Sequence, residues 1–150
     1  MTPTPGLLSV VARRTIRAAR ERVFAAWTRP EHLVNWWGPT GVECAAAEVD
    51  LREGGGFRLA NQLPDGTVIW IAGTYSTVNP PEELAYSWYH EPLSESSEVS
   101  AVRVRFMAKG DATEVVVLHE GFADAASQER HGAGWQGCLD GLQALSSALA

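Results

Sequence analysis

Between about residue 42 and residue 120 apolar and polar positions alternate, while 20–37 and 125–149 repeat at helical spacing. Ser9 to Arg17 is rich in Val, Ile and Arg and holds no turn former, which predicts an opening strand. The period then lengthens. Over Arg20–Thr28, Val23 and Trp27 stand four apart with Phe24 beside the first, so this is a short helix. A second helix is bracketed by its ends: Pro30 suits a first helical position, Gly38 the left-handed residue past the end, and Pro39 forbids continuation. Trp36 and Trp37 therefore fall in its last turn. Six strands follow, over Val42–Leu51, Phe57–Leu63, Thr67–Val78, Glu83–His90, Val99–Ala108 and Thr113–Glu120. Gly54-Gly55-Gly56, Pro64-Asp65-Gly66, Asn79-Pro80-Pro81 and Lys109-Gly110-Asp111 punctuate them. From Ala125 to Leu149 the residues Trp135, Cys138, Leu142, Leu145 and Leu149 recur at steps of three and four, with Leu139 alongside. That is the apolar stripe of one long helix.

Short turns between strands predict antiparallel pairing, and the long helix must cover the apolar face they create. The expected fold is α+β: a curved antiparallel sheet of about seven strands gripping the C-terminal helix, with two short helices after the first strand, in one domain over residues 1–150. Alternation points Leu84, Tyr86, Trp88, Val102, Val104, Phe106, Val115, Val117 and His119 inward. The opposite phase would bury Arg103, Arg105 and Glu114, at a large desolvation cost. Ser94 to Ser100 reads as a polar loop, and no internal repeat or linker interrupts the chain.

Composition narrows the function classes. The chain has 150 residues, 45% hydrophobic and 20% charged, enough to bury a core, and a formal net charge of -6. That charge argues against a general nucleic-acid surface, and Arg13, Arg14, Arg17, Arg20 and Arg22 read as solvated faces. The start, Met1 to Gly6, lacks a basic region followed by an apolar core, and no run reaches membrane-spanning length. A cytoplasmic location is the expectation, with no membrane partner. Cys44 and Cys138 have no metal-ligand spacing and read as small buried apolar residues.

Candidate chemistry is sparse. No nucleophile elbow, phosphate-cradling lysine loop or dinucleotide fingerprint is present, because Gly54-Gly55-Gly56 leads into a strand. His90, His32 and the other histidines lack the spacing of a metal site, so no metal or other cofactor is expected. Asp124 suits the N-cap of the last helix. Within that helix Gly134, Gly137 and Gly141 each cost roughly 1 kcal/mol relative to alanine, which close approach of another backbone, a partner subunit or a ligand would offset. Close packing is the reading favoured here. His119, at the inward phase of the last strand, and His131, four residues before Trp135, converge on one end of the sheet–helix space. Each has a plainer alternative, a hydrogen-bonded core residue for His119 and an exposed one for His131.

Several segments together resemble one family. The Arg22-Val23-Phe24 and Trp27 helix, the Trp36-Trp37-Gly38-Pro39 turn, Asp50-Leu51-Arg52-Glu53-Gly54-Gly55-Gly56-Phe57-Arg58, Gly73-Thr74-Tyr75, Pro80-Pro81-Glu82-Glu83-Leu84, His119-Glu120-Gly121-Phe122 and Gly134-Trp135 occur in the order seen in bacterial homologues of the heat-shock protein 90 ATPase activator domain. The resemblance implies the START-like superfamily, whose helix-grip domains hold apolar or amphipathic small molecules between sheet and helix. It leaves function open, since members include carriers, receptors, cyclases and co-chaperones. The eukaryotic activator works with a larger amino-terminal domain, and here the first strand begins within about ten residues, so direct activation of the chaperone is not expected.

The expected function is therefore enclosure of a small, largely apolar or aromatic molecule. Trp37, Phe57, Trp70, Tyr75, Trp88, Phe106, Trp135 and Leu139 would form the walls, with His119 and His131 as polar contacts. Each ring could instead simply fill the core. An enzyme of the cyclase or hydrolase kind, with His119 and Tyr75 or Tyr86 handling protons, is the alternative, and a protein-interaction module another. Apolar edges near the early helices and the glycine flank are compatible with a homodimer.

Overall fold

Each strand of the sheet turns its apolar phase to a common face, and the long helix lies across that face. The computed structural model describes residues 8–92 and 98–149, so the expectations for Met1–Gly6 and for 94–97 of the polar loop lie outside the described residues. In chain order the elements are β1 (Leu8–Ile16), α1 (Arg20–Thr28), α2 (Pro30–Trp36), β2 (Glu43–Val49), β3 (Gly56–Gln62), β4 (Val68–Asn79), β5 (Glu83–His90), β6 (Ser100–Lys109), β7 (Ala112–Phe122) and α3 (Ala125–Leu149). The sheet runs β1-β7-β6-β5-β4-β3-β2, antiparallel throughout, so the first strand pairs with the last. This is the helix-grip fold.

Register irregularities at Cys44/Ala46 and Tyr75/Thr77 bend the strands and help the sheet curve. Leu84, Val104, Val115, Val117 and His119 are fully buried at the predicted inward phase, while Arg103 and Arg105 face solvent and pair with Glu83. Asp124 caps α3 as expected, its carboxylate accepting the Ser127 N–H at 2.7 Å.

Two details of α2 and α3 place the site. Trp37 is not in the last turn of α2: it is already extended (φ -66°, ψ 138°), and Gly38 with φ 135° turns the chain next. That turn aims the Trp37 ring under α3 rather than along α2. The α3 glycines then let the same segment come close. A Cβ on Gly137 would stand 2.5 Å from the Thr40 nitrogen, and one on Gly141 would collide with the Trp36 carbonyl oxygen. The favoured reading of close backbone packing holds, and this flank of α3 is covered by the chain itself. Both cysteines are buried and free. No helix among the described residues is long and apolar enough to cross a membrane.

Candidate functional site

Where α3 passes over β3, β4 and β5, the side chains leave a partly enclosed chamber of about 220 Å³. Its inner corner is three indoles. Trp37 meets Trp135 edge-on at 5.5 Å, Trp88 meets Trp135 at 5.8 Å, and Trp37 meets Trp88 at 5.8 Å. Trp27 stacks behind Trp135 at 6.1 Å and supports it from the core. Ile71, Cys138, Pro39 and Gly134 complete the apolar lining. Burial raises the Cys138 thiol to about 12, so it is a neutral wall and not a nucleophile.

Polar groups enter from two sides. Asn61, at the inward phase of β3, lines the chamber and accepts the Trp37 indole N–H at 3.1 Å. His90 ends β5, and Arg130 and His131 lie near the start of α3. Arg130 and His90 are exposed, whereas the indoles are buried, so the polar residues mark the mouth. The His90 imidazole, partly shielded although the residue is exposed, is held below its ordinary pKa first by that desolvation and then by His131. The Trp88 indole N–H is buried and has no hydrogen-bond partner among the described residues.

His119 stands behind this wall. Trp135 Nε1–H donates to its Nδ1 at 2.9 Å, so that nitrogen carries no proton. The proton therefore sits on Nε2, 2.7 Å from Ser100 Oγ, whose own hydroxyl faces the Trp88 carbonyl at 3.4 Å. Burial, with a smaller push from His131, lowers its pKa to about 3. The imidazole is thus a neutral connector with both nitrogens engaged, the plainer of its two expected roles. Tyr75 and Tyr86 are held protonated well above the usual phenol range by burial, and Tyr86 accepts the Trp27 N–H.

Of the ten predicted residues, Trp37, Trp88, His131 and Trp135 line the chamber. Phe57 and Tyr75 instead border a second void of about 20 Å³, where their rings pack together at 5.7 Å. Such a space holds one water at most. Phe106 and Leu139 are core: Phe106 packs edge-on against Phe24 and Trp27. Trp70 is a correction of a different kind. It pairs with Ala60, one residue off the Asn61 and Leu59 phase, so its ring lies on the outer face with the Arg58 guanidinium 4.1 Å above it. Arg58 is held there by Glu91 and Glu48. Sequence reasoning missed His90, although it continues the inward phase assigned to β5, and it missed Asn61, Ile71, Pro39, Arg130, Gly134 and Cys138 as lining.

Residues 17–147 match the family described as Activator of Hsp90 ATPase homolog 1-like protein. No curated protein matches the chain. Among solved structures, a Chromobacterium violaceum protein is 25% identical with a TM-score of 0.82, covering 93% of this chain and 97% of its own. The AHSA1 protein of Silicibacter pomeroyi has the same fold at 22% identity and TM-score 0.84, covering 95% of this chain and all of its own. An HSP90 activator from Plasmodium falciparum shares it at 24% identity and TM-score 0.72, covering 92% and 95%. With the helix-grip sheet, the long closing helix and a family match that spans most of its length, this chain belongs to the Activator of Hsp90 ATPase homolog 1-like family.

Proposed function

We propose that the chamber between the sheet and α3 binds a small, largely apolar molecule, and that Trp37, Trp88 and Trp135 supply its aromatic contacts. The observation that carries this reading is a space of about 220 Å³ cornered by three indole rings that the chain's own side chains leave unfilled. For comparison, a cavity of about 150 Å³ suffices for benzene. A flat bicyclic body is the natural size. The enzyme reading has no such support, since both nitrogens of His119 are occupied and Tyr75 and Tyr86 are kept neutral. Chaperone activation rests on family membership and likeness of fold, with no feature of the chamber behind it.

A thermal-shift screen against planar aromatic compounds, aromatic polyketides and fatty acids tests the proposal. A guest at a hundred times its dissociation constant adds roughly 2.7 kcal/mol, which raises Tm by about 5–10 °C in a domain of this size. The expected result is a chemically coherent set of planar hits that also change tryptophan fluorescence. Silence across all three classes would remove the proposal.

A further inference from the structure

Among the described residues, the chamber's polar lining includes donors without a partner on the protein, the Arg130 guanidinium and the Asn61 amide, and no carboxylate. Asn61 has committed its carbonyl oxygen to Trp37, which leaves its amide N–H groups. His131 donates Nδ1–H to the Ser127 carbonyl at 2.8 Å, which fixes the ring at the mouth. Among the described residues Arg130 makes no ion pair, and no carboxylate lines the chamber. Glu98, near the start of α3, is already engaged by the Ala123 N–H at 3.0 Å and the Ser127 hydroxyl at 2.9 Å.

Resting on the chamber being a ligand site, we infer that its guest is an aromatic acid: a flat apolar body against the indoles, with an anionic oxygen head addressed by the Arg130 guanidinium at the mouth. A guanidinium prefers a carboxylate because its planar fork offers parallel N–H donors. A neutral hydrocarbon of the same shape satisfies none of these donors.

The test compares 1-naphthaleneacetate with 1-naphthaleneacetamide by isothermal titration at pH 8, on the full chain, on Arg130→Met and on Arg17→Met. Arg17 borders a different surface hollow beside Lys109 and reports general charge effects. The expected result is an acid bound about tenfold more tightly than its amide, a preference lost in Arg130→Met and kept in Arg17→Met. Equal binding of acid and amide by the wild type would overturn the inference while leaving the chamber a ligand site. Survival of the preference in Arg130→Met, or its loss in Arg17→Met, would also overturn it. Failure of both compounds to bind would overturn the inference and the chamber reading together.

Discussion

Trp135→Ala is expected to destabilise the protein by about 4 kcal/mol, and so to weaken any guest's apparent affinity partly through the fold. Truncating a buried tryptophan typically costs about 3–5 kcal/mol in lost transfer and residual cavity. Trp135 is 3% exposed, stacks on Trp27, meets Trp37 and Trp88, and donates its N–H to His119. The ring is wall and core at once. Trp70→Ala supplies the comparison, because that ring lies on the outer face beneath Arg58 and its loss should cost about 1 kcal/mol. Chemical unfolding followed by circular dichroism measures both. Equal costs for the two variants would mean that Trp135 does not hold the place described.

His119→Leu carries the second large effect, and its signature is pH. At pH 7 the substitution should cost about 2 kcal/mol, since the Trp135 N–H and the Ser100 hydroxyl lose a buried partner. In the wild type His119 is neutral when folded, with a pKa lowered to about 3, whereas in the unfolded chain it titrates near its ordinary value of about 6.5. The unfolded state alone therefore gains this proton as pH falls between those values. Stability from the neutral, buried imidazole is complete above about pH 6.5 and is lost progressively toward pH 3, at up to about 1.4 kcal/mol per pH unit. The variant lacks that term, so the gap between the two proteins should close on acidification. Other groups, His90 among them, act on both proteins and cancel in the difference. A gap that stays constant from pH 7 to pH 4.5 would show that His119 is not held neutral.

Much of the fold was legible because its signals are local. Alternation set the inward phase of β5, β6 and β7, the glycine and proline punctuation bounded the strands, and α1 and α3 have the predicted limits. The α3 glycines announced a close approach, and the Trp36–Thr40 segment supplies it. The site was less legible, for reasons that particular residues show. Trp70 sits between Ile69 and Ile71, and an unbroken apolar run does not reveal which face each residue takes; only the Ala60 pairing does. Phe106 has the right phase, but Phe24 and Trp27 fill the space beside it. The role of His119 depends on partners from two other elements, Ser100 and Trp135, which no spacing along β7 encodes. Asn61 was within reach of sequence reasoning. A polar residue continuing the Phe57–Leu59 phase into the core needs a reason, and the reason is the Trp37 N–H and the chamber beside it.

The most direct test of the chamber is a two-dimensional ¹H–¹⁵N spectrum recorded while 1-naphthaleneacetate or its amide is added. The six indole N–H groups resolve the question because they sit in distinct places, assigned by single tryptophan-to-phenylalanine variants. The account predicts that the Trp37, Trp88 and Trp135 signals move, because those rings line the chamber, while Trp70 on the outer face and Trp36, bonded to the Ala26 carbonyl, stay in place. Movement of Trp70 with Trp88 unmoved, or no movement at all, would contradict it.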